Sequence, residues 1–351
     1  MITAGIIGVT GYMGGEVLRK LLEHPEVKIK WTTSRTPEDI ALFHPNLYAE
    51  DIPVVTLEEA SPCDVVFVAL PTKASLPAIQ AFIEKGCKVI DLGAAFRLKD
   101  ITVWERVYGQ KHPYPQLVAE AVYGVSELHM DAIKDACLIA NPGCYASSAI
   151  FGLSPLVKNG LIDARHIIVD GLSGTAGVGT ELARPAHHPE IANNLVPYNV
   201  VDHRHSYEIE QELSIQADGE VPVHLTTTYV PIVRGILTIS HCFPVSPVSR
   251  KDLLHLYREF YADSYFVKVY DLPKEEGASW QYLPYPWVSS VAGTNYCYVG
   301  LDYDEKRNRL VVFSVLDSIG KGGAQAGIEN MNLMFGLPRQ TGLTARGFHP
   351  V

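Results

Sequence analysis

The feature that most constrains the fold of this 351-residue chain is a glycine-rich turn between its first strand and its first helix. Residues 2–7 form a short apolar run typical of a buried strand, and apolar residues recur with helical spacing over 17–22. Gly8, Gly11 and Gly14 lie between them with the spacing G-x-x-G-x-x-G. Glycines let the backbone approach a pyrophosphate, whose charge the N–H groups at a helix start complement. We therefore predict that this turn binds phosphate. Because the spacing differs from G-x-G-x-x-G, the alternative is a glycine-rich turn that binds no ligand.

The end of the second predicted strand indicates which dinucleotide this turn would bind. Val27, Ile29 and Trp31 alternate as a strand that leads into the sequence TTSRTPED. An NAD site usually places an acidic residue here to bind the ribose 2′-hydroxyl, whereas Ser34 and Arg35 suit a 2′-phosphate. A solvated surface arginine is the alternative for Arg35, and we predict NADP(H). The predicted cofactor contacts here are Gly8, Thr10, Gly11, Tyr12, Met13, Gly14, Ser34, Arg35 and Thr36.

Further strand–helix alternation predicts a doubly wound parallel sheet. Strand-like runs begin the segments 64–70, 88–98 and 136–144, and a helical stretch lies near 75–85. Ligands of such sheets bind at the carboxyl ends of strands. Cys144 follows one of these ends, so we expect the sheet to deliver its thiol to the cofactor crevice.

The second half of the chain has a different pattern. After Val157 the strands are longer and alternate, which suits a mixed or antiparallel sheet with one face covered. A single helix is expected near 251–261, and the last stretch is helical and could return to the first domain. We predict an α/β fold with two domains, 1–143 completed by the C-terminal helix of 319–351, and 144–318. The predicted strands of the second domain lie within 166–174, 223–243, 266–272, 295–303 and 309–317.

Composition narrows the class of protein. Hydrophobic residues make up 47% and charged residues 19%, which suits a globular enzyme rather than a disordered chain. A net charge of −10 disfavours a general nucleic-acid binder. The six cysteines form no C-x-x-C pair, which argues against a disulfide framework or a zinc ribbon. No apolar run approaches the roughly 20 residues of a membrane span, so we expect a cytoplasmic protein without a membrane or nucleic-acid partner.

A candidate nucleophile lies in the sequence IANPGCYASS. Cys144 follows the turn at 141–143 and precedes a helix. A thiolate at a helix N-terminus has a lowered pKa, and a backbone N–H group there can stabilise an oxyanion. The alternative is a buried small residue, as expected for Cys63, Cys87 and Cys137 beside apolar segments. The exposed turn before Cys144 favours the nucleophile.

A candidate acid/base lies in the sequence VVDHRHSYEIEQEL. His203 and His205 alternate on an extended segment, and Ser206 can cap the helix that follows. Histidine is suited to proton transfer because its unperturbed pKa lies near neutrality. A metal site made with the sequence HHPE at 187–190 is one alternative, and helix-flanking surface histidines are another. No second cluster has metal-ligand spacing, so we predict no metal.

Eight sequence blocks resemble the N-acetyl-γ-glutamyl-phosphate reductase family of arginine biosynthesis. The resemblance runs from residue 4 to about 348 in the same order, and the Cys and H-R-H blocks are the most specific. The blocks are GVTGYMGGE, SRT, DLGAAFRL, YGVSELH, NPGCYAS, HRHSYEIEQEL, RGIL and KGGAQAGIENMNLMFGLP.

The resemblance implies a fold and a reaction. The family is related to aspartate-semialdehyde dehydrogenase, which implies a Rossmann-type NADP domain and an α/β catalytic and oligomerisation domain, and hence a homo-oligomer. It implies that the Cys144 thiolate attacks an acyl phosphate to form a thioester, and that hydride transfer from NADPH then reduces this thioester to an aldehyde. A histidine of the H-R-H block would act as acid/base, and we favour His205 over His203. The implied substrate contacts are Arg97, Asn141, Ser173, Arg204 and Arg234, the arginines because their guanidinium groups match phosphate and carboxylate.

Three departures from the family pattern bear on the substrate. Ala95 stands where the family usually has an acidic residue, and Ser318 stands where it usually has the Asn expected to bind the nicotinamide amide. Leu172 stands where the family tends to have Lys, so we expect it to remove a cation from the pocket. Leu172 together with the sequence RPAHHPE at 184–190 is more similar to the lysine-biosynthesis branch, whose glutamyl or aminoadipyl phosphate is linked to a small carrier protein. A catalytically inactive NADP-binding regulator is a more distant alternative, disfavoured by the presence of Cys144 and the histidines.

Overall fold

The computed structural model of the chain describes residues 1–35, 39–272 and 284–348. The chain divides into two compact units, of which unit 1 comprises Met1–Pro142 with Gly323–Ala345, and unit 2 comprises Gly143–Gly322 with the residues from Arg346 onward. This division differs from the predicted one in that Gly143, 319–322 and the residues from Arg346 lie in unit 2. The physical reason is that the N–H groups of Ile319, Gly320 and Gly322 donate to Asp317 of the same unit.

Unit 1 is built on a seven-stranded sheet in which every pair is parallel. Its strands are β1 (Ile2–Ile7), β2 (Val27–Thr33), β3 (Val54–Val55), β4 (Val65–Val68), β5 (Lys88–Asp91), β6 (Val122–Tyr123) and β7 (Leu138–Ala140). The order β3-β2-β1-β4-β5-β7-β6 confirms the doubly wound fold, and it reverses between β1 and β4. Such a switch point is where open α/β sheets bind ligands. The register of β1 on β2 shifts after Ala4, where the Trp31 ring covers Gly5.

The turn after β1 depends on two glycines. Gly8 has a φ of 84°, and a Cβ on it would lie 2.5 Å from the carbonyl oxygen of Ala69, just beyond β4. A Cβ on Gly14 would lie 2.3 Å from the carbonyl oxygen of Gly8. Helix α1 (Tyr12–Leu22) therefore begins tightly against the turn, with Gly11 at the N-cap position and no side-chain cap. Such a start leaves its N–H groups to bind something other than a capping side chain.

Four more helices complete the amino-terminal part of unit 1. They are α2 (Thr72–Glu84), α3 (Ile101–Tyr108), α4 (Pro115–Glu120) and α5 (Ser126–Asp135). Helix α3 shows how local sequence sets the ends: the Asp100 side chain accepts from the N–H groups of Thr102 and Val103, and Gly109 ends the helix with a φ of 65°. Short 3₁₀ turns lie at Ile40–Leu42 and Pro45–Leu47.

Unit 2 is built on a seven-stranded mixed sheet, as predicted. Its strands are β8 (Ile167–Ser173), β9 (Val196–Tyr198), β10 (Val223–Tyr229), β11 (Ile236–Cys242), β12 (Val267–Val269), β13 (Cys297–Asp304) and β14 (Arg309–Leu316). Their order is β12-β13-β14-β11-β8-β10-β9, with β8–β10 and β12–β13 parallel and the other pairs antiparallel.

The helices of unit 2 are α6 (Cys144–Lys158), α7 (His188–Ile191), α8 (His205–Ala217) and α9 (Arg250–Phe260). Of these, α6, α8 and α9 pack on one face of the sheet, and α7 contacts the neighbouring turn at 184–186. Helix α6 packs on β11, β13 and β14, and α8 packs on α6 and β10. Burial alternates along β8 and β11, so every second side chain turns to the other, partly exposed face, which we call the open face. Of the described helices, none is long and apolar enough to cross a membrane. Short 3₁₀ turns lie at Thr175–Val178, Arg184–Ala186, Val288–Val291 and Glu305–Arg307.

Helix α10 (Gln325–Met334) lies in unit 1, and all of its residues are buried. Hydrogen bonds satisfy its buried polar side chains: Gln325 donates to Glu16, Glu329 accepts from Ser126, and Asn330 donates to the carbonyl oxygen of Gly124. A helix buried on all sides has no polar stripe, which is why its sequence shows only partial periodicity.

The predicted strand segment at 223–243 contains two strands that do not pair with each other. Strand β8 lies between β10 and β11, so the chain crosses over β8 between them. Pro231 has no N–H group to donate, and Gly235 has a φ of 123°, so the intervening residues cannot continue a ladder. The sequence pattern indicated strand content here but not where the strand stops.

We predict that Gly14→Ala destabilises the protein, whereas Gly11→Ala serves as a matched control. The Gly14 methyl would meet the Gly8 carbonyl at 2.3 Å, and the Gly11 methyl would have its nearest neighbour at 3.8 Å. Overpacking typically costs about 1–3 kcal/mol, so we expect the free energy of unfolding to fall by that amount in Gly14→Ala and by less than about 1 kcal/mol in Gly11→Ala. Urea denaturation followed by circular dichroism measures both, and equal losses would contradict the steric explanation.

Candidate functional site

Cys144 is the partly exposed first residue of a helix that is buried from Tyr145 to Val157. Gly143 occupies the N-cap position of α6 with no side-chain cap, and the twelve residues after Tyr145 are all buried, as is Tyr145 itself. A thiolate at this position lies in the positive end of the helix dipole, close to backbone N–H groups. The helix start at Cys144 is the one that the sequence predicted. The turn at 141–143 is buried, however, so the expectation of an exposed turn was wrong, and only Cys144 itself is partly exposed.

His205 packs on the residue that precedes this cysteine. It is the buried first residue of α8, and a Cβ on Gly143 would lie 2.5–2.7 Å from three atoms of its imidazole ring. No side chain other than hydrogen fits at residue 143 while the ring stays there. The glycine of the NPGC sequence thus lets the imidazole lie directly on the backbone beside Cys144.

Glu208 connects these two helix starts. Its Oε2 accepts a hydrogen bond from the Gly143 N–H at 2.9 Å, and its Oε1 lies 3.8 Å from His205 Nε2. The carboxylate is buried, so these contacts are screened little by water. Sequence analysis did not single out Glu208. The spacing H-x-x-E at i,i+3 on one helix face would have been the signal for it.

His203 occupies a different environment from His205. Its Nδ1 accepts the backbone N–H of His205 at 3.1 Å. Burial lowers the pKa of His203 to about 4, and the Arg204 guanidinium adds to this, while the Glu208 carboxylate opposes it. His203 is therefore neutral near pH 7, and its remaining proton is on Nε2 because Nδ1 is an acceptor.

A group of tyrosines surrounds the thiol. Tyr198 donates a hydrogen bond to the Tyr145 hydroxyl at 3.1 Å, and its ring stacks on Tyr229 at 3.9 Å between centroids. Burial raises the pKa of all three tyrosines, and the negative charge of Cys144 raises each pKa further. Ser173, a predicted substrate contact, is buried and hydrogen-bonded to Tyr145. The tyrosines were not predicted from the sequence.

Arg204 and Arg234 differ in how they are held. Arg204 is exposed, and its charge acts on both His203 and Tyr229. Arg234 donates through Nε to Asp317 at 2.9 Å. The structure thus places Arg204 beside the tyrosines and histidines, and ties Arg234 to a buried carboxylate.

Ser318 and Asp317 organise the turn after β14. The Ser318 hydroxyl is buried and accepts the N–H of Gly235 at 3.2 Å. Asp317 Oδ1 accepts from Ile319 and Gly320, each at 2.9 Å. Both side chains therefore hold backbone within unit 2.

The two predicted substrate contacts of unit 1 are internal. Arg97 is buried and donates to the carbonyl oxygens of Asn141 at 2.8 Å and Leu92 at 3.3 Å. Asn141 donates to the Gly323 carbonyl at 3.0 Å and accepts from Asn330 at 3.2 Å. These bonds join the ends of β5 and β7 to the segment that begins α10. Ala95, where the family has an acidic residue, donates its N–H to Asp91, whose pKa burial raises to about 6.

The described cofactor residues predicted in unit 1 lie at the carboxyl ends of β1 and β2, whereas Ser318, which was also predicted to bind the cofactor, follows β14 in unit 2. The Gly8 N–H donates to the Thr33 hydroxyl, which ties the glycine turn to the end of β2. Ser34 is half-buried and Arg35 is exposed directly after that end. Of the other residues predicted for this turn, Tyr12 is exposed, Thr10 and Met13 are half-buried, and Thr36 lies outside the described residues.

The alternative metal site is not assembled. His187 and His188 are exposed, whereas His203 and His205 are buried. Across residues 1–35, 39–272 and 284–348 the structure holds no group of three His, Cys, Asp or Glu residues that could bind a metal.

The expectation for Leu172 needs correction. Successive side chains of a strand point to opposite faces, and in β8 the buried face carries Gly171 and Ser173, which lie against Tyr145. Leu172 therefore lies on the open face, where it pairs across the strands with Leu237. It does not remove a cation from the surroundings of Cys144 within the same protomer.

Comparisons with known proteins cover the whole chain. Residues 3–136 match the family described as semialdehyde dehydrogenase, NAD binding domain, and residues 144–318 match semialdehyde dehydrogenase, dimerisation domain. An N-acetyl-gamma-glutamyl-phosphate reductase of Methanopyrus kandleri is 42% identical over 100% of both chains. A Thermomicrobium roseum protein, 39% identical over 100% of both chains, carries the name of a LysW-L-2-aminoadipate 6-phosphate reductase. The solved aspartate semialdehyde dehydrogenase II of Vibrio cholerae shares the fold, with a TM-score of 0.71 at 17% identity over 95% of this chain and 98% of that one.

The environment of His203 predicts a pH-dependent loss of stability. Its pKa is about 4 in the folded chain and about 6.5 when unfolded, so the unfolded state takes up a proton first as the pH falls. The stabilisation that neutral His203 provides is fully present above about pH 6.5, and it decreases progressively as the pH falls to about 4.

Asn at 203 retains an acceptor but takes up no proton, so His203→Asn removes this loss. We expect the stability advantage of the wild type over His203→Asn to shrink by about 2 kcal/mol between pH 7 and pH 5. Urea denaturation of both proteins at the two pH values measures this, and a constant difference would show that His203 titrates normally.

Proposed function

The chain belongs to the N-acetyl-γ-glutamyl-phosphate reductase family, and from that premise we propose that it reduces N-acetyl-γ-glutamyl phosphate to the semialdehyde with NADPH, releasing phosphate. The observation that carries the proposal is the placement of Cys144 at an uncapped helix start, with the His205 ring packed on the preceding residue. An acyl phosphate needs a nucleophile to displace phosphate and a proton donor for the carbonyl oxygen after hydride transfer. Cys144 would be the nucleophile, and His205 would be the proton donor.

The first chemical step would be thioester formation. The Cys144 thiolate attacks the acyl carbonyl, the tetrahedral oxyanion is stabilised by backbone N–H groups at the start of α6, and the C–O bond to phosphate breaks. When bound, NADPH supplies the hydride that reduces the thioester carbonyl. The resulting thiohemiacetal loses the thiolate to give the aldehyde.

We assign the acid/base role to His205 rather than His203. The imidazole of His205 lies against Gly143 with its Nε2 near the Glu208 carboxylate, which can stabilise a protonated ring. His203 has its Nδ1 engaged by a backbone N–H and a pKa of about 4, too low for proton transfer near neutrality. In this assignment His203 orients the start of α8, and Glu208 positions His205.

The cofactor is NADP(H), and the turn after β1 fits its pyrophosphate. Gly8 and Gly14 let the backbone of the turn pack without Cβ atoms against Ala69 and against itself, and no side chain caps the N–H groups at the start of α1. We propose that Ser34 and Arg35 contact the 2′-phosphate, because they follow the end of β2 and Arg35 is exposed.

We propose that Arg204 recognises an anionic part of the substrate. It is exposed, and its charge acts on Tyr229, which stacks on Tyr198. Free N-acetyl-γ-glutamyl phosphate carries both a carboxylate and a phosphate that a guanidinium can bind. Leu172 no longer argues against so small a substrate, because it lies on the open face.

The second candidate is the same reaction on a carrier-linked glutamyl or aminoadipyl phosphate. Its support is the name of the Thermomicrobium roseum relative, which is nearly as similar as the named arginine-pathway enzyme. Residues 180–201 of this chain also present exposed apolar side chains, including the fully exposed Leu182 and the largely exposed Val201. A carrier protein would need such a surface around the mouth of the site.

The decisive experiment measures NADPH oxidation with each acyl phosphate in turn. We expect saturable turnover of free N-acetyl-γ-glutamyl phosphate with a KM below about 1 mM, and much weaker use of NADH than of NADPH. Cys144→Ser should lower kcat by at least about 1000-fold, because a hydroxyl near neutral pH is a far poorer nucleophile than a thiolate. Binding of NADPH to this variant, followed by fluorescence, should stay within about two-fold and serves as the control for folding.

Three outcomes would contradict the proposal. Saturation with the carrier-linked substrate alone would replace the arginine-pathway assignment with the lysine-type reaction. A Cys144→Ser variant that keeps a tenth of the wild-type rate would exclude the thioester. Failure of every acyl phosphate would favour the inactive regulator.

We further propose that the protein forms a homodimer through the open face of unit 2. The family matched by residues 144–318 is described as a dimerisation domain, and the open face carries half-buried apolar side chains. They include Leu172, Leu237, Ile239 and Phe313, with Ile168 more exposed.

The dimer is tested by placing a charge on the open face. Ile239→Lys should shift the protein to monomer, because an unpaired ammonium in an apolar interface is costly. Ile215→Lys alters an exposed isoleucine of α8 instead and should leave the assembly unchanged. Sedimentation velocity at matched protein concentrations measures the mass of the assembly for both variants. A dimer mass for Ile239→Lys would show that the interface lies elsewhere.

A further inference from the structure

Lys321 is a buried cation that the proposed reaction does not use. Only 2% of its side-chain surface is exposed. A buried ammonium is costly unless other groups stabilise it. Its Nζ lies 5.3 Å from the centre of the Phe151 ring and 5.4 Å from that of Phe266. Both separations are within the range of a cation–π interaction, so two aromatic faces hold the charge.

One of these rings belongs to the helix that begins at Cys144. Phe151 lies seven residues after Cys144 in α6, which is two helical turns along nearly the same face. Phe266 precedes β12 and is fully buried. Lys321 thus joins its own segment, the π-type turn Gly320–Ala324, to the body of α6.

The residue after Lys321 touches the thiol-bearing residue itself. A Cβ on Gly322 would lie 2.8 Å from the Cβ of Cys144, so the Gly322 backbone lies directly against Cys144. The Gly322 N–H donates to the Asp317 carbonyl oxygen at 2.9 Å. The segment is therefore held at its start by Asp317 and through the side chain of Lys321 by α6.

We infer that Lys321 is a positioning residue, which clamps the 320–322 backbone to α6 and so fixes Cys144 relative to the N–H groups at its helix start. The inference deepens the proposed function, on which it rests for the role of Cys144. Loss of the clamp lets Gly322 move away from Cys144, and acyl transfer slows because attack on a carbonyl depends on sub-ångström placement.

The test uses acylation of Cys144 by p-nitrophenyl acetate, which requires neither an acyl phosphate nor NADPH. The thiolate attacks the ester carbonyl, a thioester forms, and p-nitrophenolate leaves and is measured as a burst. Rates are taken at pH values where the rate no longer changes with pH, and the rate of Cys144→Ser is subtracted. Failure of the proposed substrate would leave this measurement intact.

Lys321→Met keeps an unbranched side chain of similar length and removes the charge. We expect its burst rate to fall about ten-fold and kcat for the acyl phosphate to fall with it, while the KM for NADPH stays within about two-fold. Lys158→Met is the matched control, because Lys158 of the same helix lies 5.5 Å from the Phe260 ring at the end remote from Cys144. That variant should acylate at the wild-type rate.

Phe151→Leu keeps the lysine and removes one ring face. Its burst rate should fall at least about three-fold, and the double variant with Lys321→Met should be no slower than Lys321→Met alone, because the two residues act through one contact. A burst rate in Lys321→Met within two-fold of wild type, with only the melting temperature lowered, would overturn the inference. If Lys321→Met does not fold, an unchanged burst rate in Phe151→Leu overturns it instead.

Discussion

The hydrogen bond from the Gly143 N–H to the buried Glu208 carboxylate is the contact on which the candidate site depends. It joins the residue before α6 to the first turn of α8, so that Cys144 and His205 begin neighbouring helices. A charged acceptor in a buried position makes a strong bond, and the same carboxylate lies 3.8 Å from the imidazole of His205. One side chain thereby sets the position of the nucleophile's backbone and the environment of the proposed acid/base.

Close backbone approach is the second constraint, and glycines make it possible. At Gly143 a side chain would occupy the place of the His205 ring, and at Gly322 it would collide with Cys144. At Gly14 it would push α1 away from the turn that follows β1. In each unit these glycines leave backbone N–H groups at an uncapped helix start. In unit 2 the ring of His205 and the residue Cys144 occupy the space that the missing side chains leave.

Much of the fold and part of the site could be predicted from local sequence. The strand–glycine–helix unit, the parallel sheet, and Cys144 and His205 at helix starts follow from periodicity and turn residues within short windows. Glu208 was missed because its partner is 65 residues distant. Arg97 and Arg234 are predicted substrate contacts, and the structure adds that Arg97 bonds to backbone and Arg234 to a carboxylate within their own units. An arginine has the same sequence signal in either role.

The sequence by itself determined the longer strands and several helices, where the glycine turns fall, and that a thiol stands at a helix start, because these properties depend on neighbours along the chain. Only the tertiary structure decided that β8 separates β10 from β11, that Leu172 faces away from Tyr145, and that Lys321 lies between two aromatic rings. The physical reason is that sheet order, the buried face of a strand and the partner of a buried charge are set by packing between residues far apart in sequence. Local propensities carry no information about which distant surface will cover them.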